Sequence, residues 1–283
     1  MKEYLSHFSA AILWNIPYID NIIGYKIADI DSTDITVSEH DARFRKNGKL
    51  VHSRGLALPT GSITTHNGKA VTSPELLFLE LASKLSIHRL ILLGLELCAH
   101  PPGEHSKSIT TEQKLKKFLA KTKGHHGHYN AARAVKYVKD GSASIMESLA
   151  YMILTLPHTL GGYGLKGAVF NYEILLKSKA EHLTQNRFYS DLYYKEAKLA
   201  VEYESFAYHN CPAEQSRDML RSTRLERHGI VVMRLSTIQL YNKDACREFA
   251  INLATRLGKR IHIRTKKFLE MHDLLRALLP NGG

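Results

Sequence analysis

Three acidic residues in the C-terminal half, Asp191, Glu202 and Glu204, have the types and spacing of a metal-binding cluster. Glu202 and Glu204 are two residues apart in a run typical of a β-strand, so their side chains share one face of a sheet. Carboxylates this close repel each other and reduce stability unless a cation neutralises them. Magnesium prefers carboxylate and water oxygens, and a metal held this way can orient a water and stabilise charge on a phosphodiester. The cluster therefore predicts a site of metal-dependent phosphodiester hydrolysis.

The position of Asp191 relative to Glu202 depends on the loop that joins their two strands. If residues 195–198 form a four-residue hairpin loop, Tyr194 faces Leu199 and Asp191 lies directly across from Glu202. A loop that is two or three residues shorter would shift this register. The four-residue loop is therefore the hypothesis on which the acidic cluster depends.

The elements around this hairpin follow the order β, β, β, α, β, α. Strands are predicted at about 169–177, 188–194, 199–205 and 230–235, and helices at about 213–228 and 237–257. Gly229 follows the first of these helices, at the position where a left-handed residue commonly ends a helix. We expect an α/β fold whose mixed sheet is flanked by helices.

The N-terminal half has a different pattern, made of short alternating runs and tight turns. Asn47-Gly48 and Asn67-Gly68 are typical of hairpin turns, and Ser73-Pro74 is typical of a helix start with serine as the N-cap. Pro101-Pro102 lies in a polar stretch that suits a boundary. The expected parts are a smaller α+β domain at 1–100, a linker with connecting helices at 101–143, the mixed-sheet domain at 144–260, and a basic tail with a short helix at 261–283.

Composition narrows the partners and the compartment. The 283-residue chain carries a net charge of +12, which favours a polyanionic partner, most commonly nucleic acid. A membrane surface or an acidic protein is the alternative. The three cysteines have neither metal-ligand spacing nor a disulfide framework, as expected in a reducing cytoplasm. Because no run has the length and apolarity of a signal peptide or a membrane span, we expect a cytoplasmic protein.

A longer pattern surrounds the acidic cluster. Asp191 is followed by Val-Glu-Tyr-Glu-Ser at 201–205 and then by His209. This pattern resembles the sheet motif of very-short-patch-repair-like endonucleases, which belong to the PD-(D/E)xK superfamily and have a restriction-endonuclease-like fold. The resemblance covers about 144–256. The further matches are Ser144-Ile-Met-Glu147 upstream and, downstream, Asp218, Arg221, Arg224-Leu225, Gly229 and the strand at 231–234.

The resemblance implies a magnesium- or manganese-dependent DNA endonuclease and a role for each acid. Glu147, Asp191 and Glu202 would hold the metal, Glu204 would support it, and His209 would be a possible general base. The family usually has Glu-x-Asp-Gly where this chain has Glu-Tyr-Glu-Ser, and the lysine found two residues after the acid in the superfamily is absent. The longer side chain of Glu204 shifts the expected metal position, which would weaken catalysis.

Six basic residues are candidates for contact with the DNA backbone, because phosphate contacts position a protein on a duplex. They are Lys195, Lys198, Arg221, Arg224, Lys259 and Arg260. Arg221 and Arg224 lie on one predicted helix with Asp218, where salt bridges on the helix surface are the simpler alternative. The basic tail has the same alternative, a solvated surface.

Two of the other features have simple structural explanations. Glu147 lies three residues after Ser144, which is a capping box in its own right. His125, His126 and His128 suggest zinc, but they lie in a predicted loop with only a glycine as spacer and no cysteine nearby. An ordinary polar loop is the favoured interpretation of these histidines.

The N-terminal half more faintly resembles AbiEi-type antitoxin proteins. The shared features are Phe8-Ser-Ala-Ala11, Leu58-Pro59 and Val71-Thr-Ser-Pro74 before a helix. This resemblance supports an alternative function, a non-catalytic antitoxin-like or nucleic-acid-binding protein that uses a degenerate nuclease scaffold. Its protein partner would be a cognate toxin.

Overall fold

A computed structural model describes residues 3–26, 32–37, 48–53, 55–176, 186–204 and 221–280. The chain divides into two compact units, the first formed by 1–99 with 107–140 and the second by 100–106 with 141–283. Each unit contains a mixed β-sheet with helices, so the predicted α/β class is confirmed. Residues 107–140, part of the expected linker region, pack within the first unit.

The sheet of the first unit has the strand order β3-β2-β1-β5-β4 in the described residues. The strands are β1 (Glu3–Leu5), β2 (Thr33–Val37), β3 (Lys49–Ser53), β4 (Ile63–His66) and β5 (Lys69–Thr72). The central strand β1 pairs antiparallel with β2 and parallel with β5. β4 and β5 form a hairpin across Asn67 and Gly68, both at positive φ, as the Asn-Gly pair predicts.

Six helices accompany this sheet in the described part of the first unit. They are α1 (His7–Leu13), α2 (Ile19–Ile23), α3 (Pro74–Leu81), α4 (Ile87–Leu97), α5 (Glu112–Ala120) and α6 (His128–Ala134). The start of α3 confirms the predicted cap, because the Ser73 hydroxyl accepts the Leu76 N–H at 3.2 Å and Pro74 occupies the first turn. The apolar side chains of α3 and α4 form much of the core; Phe78 and Leu90 are fully buried.

The sheet of the second unit has the order β6-β7-β8-β9, formed by β6 (Ala168–Leu176), β7 (Asn186–Tyr194), β8 (Leu199–Glu204) and β9 (Val231–Ser236). β6, β7 and β8 are antiparallel neighbours, and β9 is parallel to β8. Tyr194 pairs with Leu199, so residues 195–198 form the predicted four-residue loop. This register is the one on which the acidic cluster depends.

The helices of the second unit are α7 (Ile145–Thr155), the helical residues 221–227 (α8), α9 (Thr237–Tyr241), α10 (Lys243–Arg256) and α11 (Phe268–Arg276). Gly229 ends α8 at φ 73° while the Ile230 N–H bonds back to the Leu225 carbonyl at 3.1 Å, as predicted. The single helix predicted at 237–257 is instead two helices. Asn242 separates them, because its side chain caps α10 by accepting the N–H groups of Asp244 and Ala245.

Two helices position the acidic region of the second unit. α7 contacts both β7 and β8, and Leu225 of α8 packs with Tyr193 and Ala200 in a buried cluster on the sheet. Full burial of a leucine side chain contributes roughly 1.5–3 kcal/mol, so Leu225 anchors α8 to the strands. Arg221 lies one turn before Leu225 and is thereby brought to the sheet.

Candidate functional site

Glu147 is both a helix cap and a buried acid attached to the sheet. The Ser144 hydroxyl accepts the Glu147 N–H at 3.2 Å, which is the first half of the predicted capping box. In place of the second half, the Glu147 carboxylate accepts the Ser144 hydroxyl itself at 3.0 Å. The other carboxylate oxygen accepts the Ala143 N–H and the side-chain amide of Asn171, each at 3.0 Å. Glu147 is only 9% exposed. Capping therefore holds this carboxylate in a fixed position without turning it to solvent.

Asn171 connects the Glu147 carboxylate to strand β6, a role that no motif of the sequence indicates. Its side-chain amide also donates to the Gly141 carbonyl at 2.8 Å, and its backbone has a φ of 41°. The pairs Phe170–Leu192 and Tyr172–Ser190 flank it, which places Asn171 beside the position of Asp191 on β7. A left-handed backbone conformation is uncommon for a residue inside a strand. The strand pairing of the folded unit is needed to show that the side chain of this residue bonds to Glu147.

Asp191 and Glu202 are brought together by the β7–β8 pairing. The ladder places Leu192 opposite Val201, so the next positions outward are Asp191 and Glu202. There the Asp191 carboxylate accepts the Tyr203 N–H at 2.8 Å. A side chain thus bonds to the backbone of β8 at this point, which fixes one oxygen of Asp191 beside the strand that carries Glu202.

Burial raises the pKa of all three acids, and repulsion by Asp191 raises it further in Glu147 and Glu202. Burial, and then the charge of Asp191, raises the pKa of Glu147 and of Glu202 to about 7. Burial also raises the pKa of Asp191, although the Tyr203 N–H and the Arg221 charge act in the opposite direction. Acids that titrate near neutral pH retain protons that a cation can displace.

Arg221 is the cation that interacts with this cluster. Its guanidinium lies 3.2 Å from a carboxylate oxygen of Glu202, donates to the Tyr189 carbonyl and lies over the Phe188 ring. The sequence predicts Arg221 as a phosphate contact. In the structure it is held within the acidic site, one third exposed, where its charge partly offsets the rise in the pKa of Asp191 and of Glu202.

Glu204 belongs to a separate ion pair on the same strand. Its carboxylate lies 3.1 Å from the guanidinium of Arg234, which comes from the neighbouring strand β9. Arg234 also donates to the Ser222 hydroxyl of α8 at 2.8 Å. Glu204 therefore joins β8, β9 and α8, which is compatible with a supporting role at the acidic site.

The remaining predicted DNA contacts lie on exposed surfaces of the second unit. Lys195 and Lys198 lie in the β7–β8 loop, where the Lys195 ammonium is 4.5 Å from the centroid of the Tyr172 ring. Asp191 is four residues from this loop, roughly 13 Å along a strand. Arg224 is exposed on α8, and Lys259 and Arg260 are exposed after α10. His209 and Asp218, by contrast, lie outside the described residues.

The donor set suits a magnesium or manganese ion better than a softer metal, since it consists of carboxylates without thiolates. The carboxylates of Glu147, Asp191 and Glu202 are coupled electrostatically, yet in the described structure their oxygens are not all within 4.8 Å of one another. Magnesium is commonly bound through one or two carboxylates and keeps several waters. In this arrangement at most two of the three acids can ligate one ion directly, and the remaining acid would act through water.

Comparisons with protein-family models, with curated proteins and with solved structures found no match for this chain. The resemblance to repair endonucleases therefore depends on the motifs of the sequence. Among the described helices, none has both the length and the apolarity needed to cross a lipid bilayer.

Proposed function

We propose that the second unit is a magnesium-dependent DNA endonuclease of the PD-(D/E)xK type. One observation carries the proposal: Glu147, Asp191 and Glu202, supplied by α7, β7 and β8, form one group in which Glu147 is buried, the other two acids are half-buried, and the charge of Asp191 repels both glutamates. Clustered acids whose pKa values are displaced by burial and by each other are common at functional sites. The motif and this clustering select the same three residues independently.

A divalent cation would relieve the repulsion that the cluster contains. Arg221 supplies one positive charge near Asp191 and Glu202, against three carboxylates. Buried charges are destabilising unless they are paired or coordinate a metal. Magnesium or manganese, held by Glu147, Asp191 and Glu202 directly or through water, would stabilise the developing charge on a phosphodiester. The residues of this chain would hold the ion, exclude bulk water and fix the carboxylates through Ser144 and Asn171.

DNA would be positioned by basic residues of the same unit. The net charge of +12 suits a polyanionic substrate, and the exposed cations Lys195, Lys198, Arg224, Lys259 and Arg260 would contact backbone phosphates. Glu204 would support the acidic site, and His209 remains our proposed general base. The cytoplasm is the proposed compartment, because Cys98 and Cys246 are buried free thiols.

A plasmid-nicking assay tests this proposal. The full-length protein is incubated with supercoiled DNA and magnesium or manganese, and is compared with Asp191→Asn, Glu202→Gln and the control Glu173→Gln. Glu173 is an exposed acid on β6 of the same sheet, paired with Arg187 at 2.7 Å. We expect metal-dependent nicking by the wild type and the control, and a loss of at least 100-fold in the two cluster variants. The proposal fails if the wild type cuts no DNA form with either metal.

A second candidate function is a non-catalytic DNA-binding or antitoxin-like platform. Two observations favour it, because each engages a proposed metal ligand with the protein itself. The Glu147 carboxylate accepts three hydrogen bonds, and Glu202 pairs with Arg221. In that case a gel-shift assay detects DNA binding that needs no divalent metal, and a cognate toxin is the expected protein partner. Binding without cleavage, unchanged by Asp191→Asn, would support this candidate over the nuclease.

A further inference from the structure

Two histidines and an aspartate meet in the first unit, far apart in sequence but close in space. His7, Asp34 and His52 each offer a ligand atom, and these atoms all lie within 4.8 Å of one another. The His52 Nε2 atom is 2.8 Å from an oxygen of Asp34. Two imidazoles with one carboxylate are a common donor set for first-row transition metals.

Strand pairing explains why these residues meet. β2 and β3 are parallel, with Asp34 opposite Leu50 and Thr36 opposite His52, so Asp34 and His52 lie two steps apart on one face of the sheet. The opposite face of the same strands carries the apolar cluster of Ile35, Val37 and Val51. The face that carries Asp34 and His52 is polar although it is not simply solvent-exposed, because Asp34 is only 3% exposed.

His7 is held against these strands by its own neighbours. The Ser6 hydroxyl lies 3.1 Å from the His7 Nδ1 atom and accepts a hydrogen bond from Thr36 at 2.8 Å. The backbone N–H of His7 donates to the buried carboxylate of Glu80 in α3 at 3.0 Å, and the His7 backbone is left-handed, with φ 49°. Such a conformation costs about 1–3 kcal/mol in a residue other than glycine, so several contacts are holding His7 in place.

The group opens into a cavity rather than into packed core. A cavity of about 300 Å³ is lined by His7, His52, Glu80, His125 and His126, among others. His125 and His126 belong to the histidine-rich loop that was interpreted from the sequence as an ordinary polar loop. Four histidines and one glutamate therefore line one partly open cavity, which is large enough for a small ligand.

We propose that His7, Asp34 and His52 bind a divalent transition-metal ion, with zinc as the expected ion, and that an open coordination position faces the cavity. A site with three protein ligands leaves the fourth coordination position open to an exchangeable ligand, whereas a structural zinc site has four protein ligands. Imidazole donors also separate this site chemically from the carboxylate cluster of the second unit, which suits magnesium. The inference does not depend on the proposed nuclease activity.

Modest movement of the side chains converts the observed geometry into a metal site. Zinc bonds of about 2.0–2.1 Å at tetrahedral angles place neighbouring donors about 3.3 Å apart. The His52–Asp34 pair is at 2.8 Å, and the rings of His7 and His52 are stacked with centroids 3.8 Å apart. Rotation of the two rings brings their nitrogens onto one ion, which then replaces the proton shared by His52 and Asp34.

Cobalt absorption tests the site in the full-length protein. Protein treated with EDTA and desalted is titrated with Co²⁺, whose visible bands report low-coordinate imidazole and carboxylate ligation, and Zn²⁺ is then added as competitor. The variants are His52→Ala, His52→Gln and Asp34→Asn. The control is His66→Ala, because the chain has 16 histidines and His66 lies in the same unit, stacked on Trp14.

We expect one cobalt per chain in the wild type, displaced by zinc, and a loss of affinity of at least tenfold in each cluster variant but not in His66→Ala. Circular dichroism identifies any variant that fails to fold, and the remaining ones decide. An absence of stoichiometric cobalt bands in the wild type would overturn the proposal, as would equal affinity in a folded His52 variant. Asp191→Asn separates the two sites, since it is expected to abolish nicking while cobalt binding is retained.

Discussion

The acidic cluster should make the second unit less stable as the pH rises, and Asp191→Asn should reduce this effect. In the folded state the pKa of Glu147 and of Glu202 is raised from 4.5 to about 7, so the folded protein retains protons that the unfolded chain releases. The stabilising contribution is complete below about pH 4.5 and is lost as the pH rises through about 7. Each shift corresponds to roughly 3 kcal/mol of unfolding free energy, at 1.36 kcal/mol per pH unit.

The two contributions do not add in full, because both acids are coupled to Asp191. Asp191→Asn removes that negative charge while its amide oxygen can still accept the Tyr203 N–H. Burial continues to raise the pKa of Glu147 and Glu202 in the variant. We therefore expect the loss of unfolding free energy between pH 5 and pH 8 to shrink by on the order of 1 kcal/mol, a modest value for like charges near a protein surface.

The assay is urea unfolding with EDTA present at pH 5, 6, 7 and 8, followed by circular dichroism. Trp14, the only tryptophan, lies in the first unit, so its fluorescence reports the unfolding of that unit in the same samples. Glu248→Gln is the control, because Glu248 is exposed on α10 of the second unit. Magnesium should flatten the pH dependence of the wild type and have little effect on Asp191→Asn.

An unchanged pH dependence in Asp191→Asn would refute the reasoning, because it would mean that Asp191 does not repel the other two acids. A steeper dependence would point to a structural role for its charge. A pH effect seen only in Trp14 fluorescence would assign the titration to the first unit.

Three further substitutions test individual contacts. Ser144→Ala removes both the cap of α7 and a donor to Glu147, and should lower the free energy of unfolding by about 1 kcal/mol, as measured by thermal melting. A change within experimental error would show that the cap does not stabilise the protein. Gly229→Ala should also cost about 1–2 kcal/mol, because φ is 73° with nothing within 4 Å of an added Cβ, so the cost is conformational strain; an unchanged melting temperature would contradict this. Arg221→Gln should raise the pKa of Glu202 and move the lower limb of the nicking pH profile to higher pH; movement to lower pH is the contrary result.

The sequence was most informative where contacts are local. The four-residue loop at 195–198 requires only the pairing of neighbouring strands, and the caps at Ser73 and Ser144 involve residues within three positions. Local patterns failed at Asn242, where a polar residue inside an apparently continuous helix is in fact the cap of a new one. The Asn-Lys-Asp triplet carries that signal, because asparagine is a strong N-cap.

Local sequence patterns could not predict the contacts that define the two sites, because those contacts join residues far apart in the chain. Asn171 meets Glu147 only because β6 lies beside α7 in the folded unit, and Arg221 reaches Glu202 only because Leu225 anchors α8 on the sheet. The histidine group depends on parallel pairing of β2 with β3, a non-local contact. Parallel pairs are joined by long connections, so their register leaves no short-range signal.

The central place of β1 makes the sheet of the first unit depend on one very short strand. β1 comprises only Glu3–Leu5, yet it separates the β2–β3 pair from the β4–β5 hairpin and bonds to both. Isolated two-stranded sheets are marginal in water, so loss of β1 would leave two weak halves and also loosen the neighbouring His7. A cut or substitution that removes this strand would therefore act on both halves of the sheet at once.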